Sequence, residues 1–318
     1  MEIDTTKINT LIDNLEKVII GKHSVIEMMI IGLLSQGHIL IEDVPGVGKT
    51  MLARSLAKSI GVPFHRLQFT PDMLPSDVTG VSIYNQATRD FEFKPGPIFA
   101  QIILVDEINR ATPKTQAALL EAMEEKQVTV DGITHVLPTP FLVVATQNPI
   151  EYEGTFPLPE AQLDRFLLRI KLGYPRSEEE IKVLEDQEFE HPINALKSVI
   201  SNKDVESMIK MVKNVFVSPM IRKYIVEIVN RTRSNEDLYL GASPRGSLAL
   251  FRTSQVLAII KGRNYVLPDD VKEMALPVLA HRLIVNPEAR LKEISSTRIV
   301  QEILDQVPSP GGDGGDFK

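Results

Sequence analysis

The chain has 318 residues, about the length of two domains, and 43% of them are hydrophobic, which is enough for a buried core. It has no cysteine and six scattered histidines, which excludes disulfides, thiolate metal sites and a cysteine nucleophile and disfavours a histidine metal site. Its net charge of −7, without a basic run or a long apolar run, predicts a cytoplasmic protein that neither inserts into membranes nor coats nucleic acid.

The first half of the chain alternates strand-like and helical segments. Two runs, 102–105 and 141–144, are apolar without alternation, which is typical of strands buried on both faces of a parallel sheet. Helices are predicted at Thr50–Ile60 and at Thr112–Glu125, the second with a proline at its first helical position. The pattern indicates an α/β domain. The predicted strands are His38–Glu42, Phe64–Phe69, Gln101–Val105, Phe141–Thr146 and Phe166–Leu172.

Two segments interrupt this alternation and are predicted as inserted β-hairpins. In residues 79–97, two apolar runs are separated by polar residues. In residues 127–137, Asp131-Gly132 lies between alternating runs, which is a strong turn signal.

After Tyr174-Pro175, helical periodicity predominates and strand-like runs disappear. We therefore predict an α/β core over residues 1–174, an all-helical domain over 175–307, and a disordered Gly-rich tail over 308–318. The predicted helices of the second domain are Glu178–Gln187, Lys203–Val215, Pro219–Thr232, Pro244–Gly262, Pro268–Arg282 and Ser296–Val307.

A glycine-rich segment follows the first predicted strand and opens the first helix. Backbone N–H groups of such a turn can surround phosphate oxygens, its lysine reaches the β- and γ-phosphates, and the next hydroxyl binds Mg²⁺. Lys49 and Thr50 have these positions, although Asp43 replaces the glycine that begins the general pattern. The alternative is a glycine turn that caps a helix. The predicted nucleotide-binding residues are Asp43, Val44, Pro45, Gly46, Val47, Gly48, Lys49, Thr50 and Met51.

A pair of acids ends the apolar strand Ile102–Val105. Asp106 is predicted to hold Mg²⁺ through water, and Glu107 to polarise the attacking water as general base. The alternative is a pair of loop acids, but the phosphate loop about 56 residues upstream favours the catalytic interpretation.

Two side chains near the last core strands are further candidates. Asn148 follows the strand 141–146, where an amide could position water or sense the γ-phosphate, or serve only in a turn. Arg165 precedes the last predicted strand, where a guanidinium could complete a neighbouring subunit's ATP site, or pair with Asp164 or Glu160 at the surface.

Arg245 lies in the first turn of a long helix that Ser243 is predicted to cap and Pro244 to begin. A cation there opposes the helix dipole, so we expect an anion nearby. A nucleotide phosphate is one candidate, and an Asp or Glu side chain is the other.

Together these residues resemble the motifs of an AAA+ ATPase over roughly residues 5–305, and more closely those of the MoxR family. In family terms, Asn148 resembles sensor 1, Arg165 the arginine finger and Arg245 sensor 2, beside Walker A and Walker B motifs at 43–50 and 102–107. The strings similar to the family's are Glu42–Thr50, Asp106–Ala111, Ala145–Pro149 and Phe156–Phe166.

The resemblance implies an αβα P-loop domain with a parallel five-stranded sheet and an all-α lid, with ATP and Mg²⁺ as cofactors. It implies a hexameric ring with ATP between subunits. It also implies a chaperone-like ATPase that matures or activates protein complexes with a von Willebrand factor A domain partner. The catalytic residues implied are Lys49, Glu107, Asn148, Arg165 and Arg245.

Three alternatives stay open at this point. A magnesium-chelatase ATPase subunit would share all of these motifs. A DNA-directed motor could use Lys94 and Lys126 beside the hairpins as pore cations, although the acidic balance argues against it. A nucleotide-gated scaffold with negligible turnover is disfavoured by the intact Asp106-Glu107 pair.

Overall fold

The computed structural model describes residues 5–149, 154–188 and 190–311. Contacts divide the chain into two compact units. The core unit comprises Lys7–Leu158 and Ile170–Glu206, and the lid unit comprises Met1–Thr6, Pro159–Arg169 and Ser207–Lys318.

Helices and strands alternate from the start of the described chain to Gln147. The elements in this part are α1 (Thr6–Glu16), α2 (His23–Leu34), β1 (Ile39–Glu42), α3 (Lys49–Ile60), β2 (Phe64–Gln68), α4 (Pro75–Thr79), β3 (Gly80–Asn85), β4 (Asp90–Pro95), β5 (Ile102–Asp106), α5 (Pro113–Glu125), β6 (Gln127–Val130), β7 (Ile133–Val136) and β8 (Leu142–Gln147).

Helices predominate in the rest of the chain. The elements there are α6 (Glu160–Leu163), β9 (Leu168–Ile170), α7 (Ser177–Asp186), α8 (Pro192–Ala195), α9 (Asn202–Val212), α10 (Pro219–Arg233), β10 (Leu238–Leu240), α11 (Pro244–Ile260), α12 (Pro268–Leu279), β11 (Ile284–Val285), α13 (Pro287–Leu291) and α14 (Ser296–Gln306).

The main sheet has five strands, as predicted, and their order is β2-β5-β8-β1-β9. Strand β5 is buried at every position, and it pairs in parallel with both β2 and β8. Its unbroken apolar sequence therefore fits a strand that helices cover on both faces. Four of these strands end at one edge of the sheet with the polar residues Gln68, Asp106, Gln147 and Glu42.

Both predicted hairpins are present. In the first, β3 and β4 pair antiparallel from Gly80–Pro95 to Asn85–Asp90. In the second, β6 and β7 pair antiparallel around Asp131 and Gly132, which both have positive φ (51° and 77°). This is the conformation that makes Asp-Gly a favoured hairpin turn.

The first hairpin has an unusual base and an aromatic contact with the second. At its base, a Cβ added to Gly96 would lie 2.5 Å from the backbone nitrogen of Gly80, so neither strand has room for a side chain there. Farther along, the Phe93 ring stacks on His135 of the second hairpin, with centroids 3.9 Å apart and an interplanar angle of 17°. The hairpins thus pack against each other through their rings.

The lid unit is mainly helical, as predicted, with one addition. Strands β10 and β11 form a two-stranded antiparallel ribbon that pairs Leu238 with Val285. None of the helices in the described parts of the chain combines the length and apolar character that a bilayer crossing requires. Of the tail predicted to be disordered, residues 312–318 lie outside the described residues.

The compact units divide the chain at other positions than the predicted boundary at Tyr174–Pro175. Residues 170–206 belong to the core unit because backbone groups there bind α3: the Lys58 ammonium donates to the Ile193 carbonyl (2.6 Å), and the Val199 N–H donates to the Ser59 carbonyl (2.9 Å). The short segment Pro159–Arg169 belongs to the lid unit.

Candidate functional site

One cavity of about 290 Å³ at the carboxyl edge of the sheet gathers most of the predicted site residues. Parallel strands bring their ends to a common edge, which is where open α/β sheets bind ligands. The predicted site residues that line this cavity are Pro45, Gly46, Gly48, Lys49, Thr50, Met51, Asp106, Glu107 and Asn148.

The glycine-rich loop between β1 and α3 has the conformation that a phosphate site needs. Gly46 and Gly48 have φ values of 86° and 93°, which residues with side chains rarely adopt. A Cβ at either position would meet no atom within 4 Å, so backbone conformation rather than crowding requires glycine there. Gly48 is the N-cap of α3 and has no side chain to cap it, which leaves N–H groups of the first turn for an anion.

Asp43, the departure from the general phosphate-loop pattern, anchors the loop. One of its carboxylate oxygens accepts the N–H groups of Leu172 (2.7 Å) and Gly173 (2.6 Å), and the other accepts the N–H of Val44 (2.8 Å). Its backbone carbonyl accepts a hydrogen bond from the Lys49 ammonium at 2.7 Å. A buried carboxylate with three N–H partners is well satisfied, so Asp43 contributes contacts that glycine cannot make.

Asp106 ends β5 with both carboxylate oxygens bound. Arg66 donates from Nε to Oδ2 (2.7 Å), and the Thr146 hydroxyl donates to Oδ1 (3.2 Å). These bonds fix the carboxylate beside Thr50 in the same cavity. Hydroxyl and carboxylate oxygens are ligands that suit Mg²⁺ together with phosphate oxygens.

Glu107 has a constrained backbone and a held side chain. Its φ and ψ are 55° and 54°, in the left-handed region, and its N–H donates to the Thr146 hydroxyl (3.0 Å). Its Oε2 accepts from Gln68 Nε2 (2.7 Å) and from the Arg110 guanidinium (3.0 Å). Because both bonds go to Oε2, they orient the carboxylate without using Oε1.

Sequence reasoning missed three residues that organise this acidic pair: Arg66, Gln68 and Thr146. Gln68 gave no local signal, because its place beside Glu107 follows from the pairing of β2 with β5, which the sequence does not show. Thr146 lies two residues before Asn148, inside a motif that was singled out for Asn148 alone.

A second cavity of about 320 Å³ adjoins the same loop within the core unit. Its walls are largely apolar, which suits a planar base, and the loop contributes Val47 and Met51. Two other segments complete the cavity. The segment before α2 contributes Val18, Ile19, Ile20 and Lys22, and the segment 175–192 contributes Pro175, Val183, Asp186, Gln187, His191 and Pro192.

The two predicted arginines belong to the lid unit and are not among the residues of the core cavity. Arg165 follows α6, and Arg245 lies in the first turn of α11, where the Ser243 hydroxyl caps the helix by accepting the Arg245 N–H (3.1 Å). Asp164, one of the acids considered as a partner for Arg165, pairs with Arg282 (2.8 Å). The roles of both arginines stay predictions.

The fold is that of an AAA ATPase. The sequence profile of the ATPase family associated with various cellular activities (AAA) matches residues 38–168, and that of the AAA lid domain matches residues 230–303. A solved structure from Cytophaga hutchinsonii, described as an ATPase candidate, matches with a TM-score of 0.90 and 43% identity, covering 96% of this chain and 95% of that one.

Two similar proteins indicate which family of AAA ATPases the chain belongs to. The chain is 54% identical to the uncharacterized protein YeaC of Bacillus subtilis, over 94% of this chain and 93% of that protein. It is 42% identical to the chaperone MoxR1 of Mycobacterium tuberculosis, over 93% of this chain and 80% of that protein. The chain therefore belongs to the MoxR family of AAA ATPases.

Proposed function

We propose that this protein binds Mg–ATP at the phosphate loop and hydrolyses it to ADP and phosphate. The observation that carries the proposal is the oriented carboxylate of Glu107, which lines one cavity with Lys49, Thr50 and Asp106. A base, a phosphate-binding cation and metal ligands thus converge on a space beside the glycine-rich loop.

In this proposal, Lys49 and the N–H groups of the loop bind the β- and γ-phosphates. Glu107 accepts a proton from the water that attacks the γ-phosphorus as the bond to the ADP oxygen breaks. Asn148 orients this water or the γ-phosphate from the neighbouring strand end. The apolar cavity beside Val47 and Met51 receives the base.

Thr50 and Asp106 would hold the Mg²⁺ that accompanies ATP, since their oxygens line the same cavity. When bound, the ion neutralises charge on the phosphate oxygens. Among the described residues there is no group of three or more His, Asp or Glu side chains suited to a metal by itself, so phosphate oxygens and water would complete its coordination.

Arg165 and Arg245 are the proposed cations that neutralise charge developing on the transferred phosphoryl group. We infer from the family resemblance that copies of the chain form a hexameric ring with ATP between subunits, so that a neighbouring copy supplies Arg165.

We further propose a chaperone-like role, in which ATP turnover remodels or activates a protein complex together with a von Willebrand factor A domain partner. The name of the mycobacterial relative, chaperone MoxR1, supports the first part. The hairpins support contact with other proteins, because Phe91, Ile133 and Val136 are 69%, 63% and 77% exposed on them. The partner itself rests on the family resemblance.

Glu107→Gln tests the hydrolytic role. Loss of a positioned general base is expected to lower kcat by about 10²–10⁴-fold while ATP affinity is retained. The matched control is Glu302→Gln, which also removes a carboxylate paired with an arginine (2.8 Å), but in the lid unit. Turnover of Glu107→Gln within about threefold of wild type would contradict the role of Glu107. The native mass of the same variant, with and without Mg–ATP, tests the ring.

A further inference from the structure

Asp164, the residue before Arg165, joins two distant parts of the lid unit. Its Oδ1 accepts a hydrogen bond from Arg282 Nε at 2.8 Å, and its Oδ2 accepts one from the Ser243 hydroxyl at 3.0 Å. One carboxylate therefore connects the loop that bears Arg165 with the start of α11, the helix that bears Arg245.

Arg282 holds the backbone on both sides of Arg165. Its guanidinium donates to the carbonyls of Phe166 (2.7 Å) and Leu167 (3.2 Å), and approaches that of Asp164 (3.4 Å). The side chain is 3% exposed, and burial lowers the pKa of Arg282 to about 10 although Asp164 acts in the opposite direction. A buried cation is costly unless acceptors satisfy it, so the Asp164 carboxylate and these carbonyls fix the position of the guanidinium.

Ser243 extends the connection to the backbone of Arg245. The same hydroxyl that donates to Asp164 accepts the Arg245 N–H at 3.1 Å. Gly246 then lies against Arg282, since a Cβ on it would be 3.7 Å from Arg282 Cδ. The positive charge of Arg245 also lowers the pKa of Arg282, which places both guanidinium groups in one electrostatic environment.

We propose that Asp164, Ser243 and Arg282 are positioning residues that hold Arg165 and Arg245 in one fixed arrangement, so that both arginines together reach the phosphates of a nucleotide bound by a neighbouring copy. The proposal rests on the ATPase function proposed above. Two cations arranged before the reaction stabilise developing negative charge without the cost of ordering their backbones during the reaction.

The chain offers a matched pair of serines for the test. Ser243 and Ser218 each occupy an N-cap before a proline, and each hydroxyl accepts a backbone N–H, that of Ile221 (3.2 Å) in the case of Ser218. Glycine is nearly as good an N-cap as serine, so Ser243→Gly removes the bond to Asp164 with little loss of capping. Ser218→Gly is the control, and Ser243→Thr, which keeps a hydroxyl, is the rescue variant.

Two measurements are made on the full-length protein. Hydrogen exchange without nucleotide follows the amides of Arg165 and Phe166, which donate to carbonyls of the preceding turn. Steady-state kinetics with Mg–ATP separates kcat from KM. For Ser243→Gly we expect exchange of these amides to rise several-fold and kcat to fall about tenfold with KM unchanged. Ser218→Gly and Ser243→Thr should match wild type in both.

Each other outcome refutes a separate statement. If exchange in Ser243→Gly equals that in Ser218→Gly, the hydroxyl does not hold the loop of Arg165, and the proposal is wrong. If exchange rises but kcat is unchanged, the connection exists but does not position the arginines for turnover. A wild-type protein without ATPase activity would refute the proposed function, and the exchange data would then show separately whether the loop and the helix are held together.

Discussion

Replacing Asp43 with glycine would restore the general phosphate-loop pattern, yet we expect it to weaken the protein. The change removes the acceptor of three N–H groups, of which the Leu172 N–H is buried while those of Gly173 and Val44 are partly accessible. A buried donor without a partner costs about 1–3 kcal/mol, and a donor that water can reach costs less. The sum is a loss of about 3 kcal/mol in the free energy of unfolding.

For a unit of this size, such a loss corresponds to a fall in Tm of about 6–12 °C. Because the Asp43 carbonyl also binds the Lys49 ammonium, a looser loop should weaken Mg–ATP binding by about tenfold. Thermal unfolding followed by circular dichroism and titration calorimetry with Mg–ATP measure both effects. Asp90→Gly is the control, since this exposed carboxylate accepts the N–H of its neighbour Phe91 on a hairpin. Wild-type Tm and affinity in Asp43→Gly would refute the anchoring role.

Two further predictions concern a neighbour of Glu107, the proposed general base, and a buried histidine. Gln68→Leu removes a hydrogen bond that orients Glu107, so kcat for ATP hydrolysis should fall about tenfold. The control is Gln86→Leu, in an exposed hairpin turn, which should have no effect. Equal kcat values for the two variants would contradict the role of Gln68. Burial lowers the pKa of His38 from 6.5 to about 4, so the folded state binds fewer protons than the unfolded state. The stability that follows is complete above pH 6.5 and decreases as the pH falls, by about 2 kcal/mol between pH 7 and 5. Urea unfolding at several pH values should therefore show a smaller decrease in stability for His38→Gln. The control is His23→Gln, because a neighbouring carboxylate raises the pKa of His23, and this variant should not reduce the decrease. Equal pH slopes for wild type and His38→Gln would contradict the role given to His38.

The sheet and the glycine-rich loop could be predicted because their signals are local. An apolar run such as Ile102–Val105 indicates a strand buried on both faces. The glycines of the loop are close in sequence to Lys49, so the whole motif can be read from one short segment. Helix α2 gave no comparable signal. It is buried on most sides, so Met28–Leu34 forms a continuous apolar run in which a period of 3.6 residues cannot be detected.

Features that depend on distant contacts could not be predicted from the sequence. The ribbon of the lid unit joins Leu238 to Val285 through strands of three and two residues, too short for any pattern. In the site, the bond from Gln68 to Glu107 exists because parallel strands place their ends side by side. The motif strings point to the proposed reacting groups, whereas the residues that orient them become apparent only once the strands are paired.

The glycine pair at the base of the first hairpin has a mechanical consequence. Gly80 and Gly96 bring the two backbones of the hairpin base so close together that neither position could carry a side chain. The stack of Phe93 on His135 joins the first hairpin to the second, so a force that pulls on one hairpin also acts on the other. The first hairpin leads through one short helical turn into the amino end of β5, so a load on the hairpins acts on the same strand that carries Asp106 at its other end.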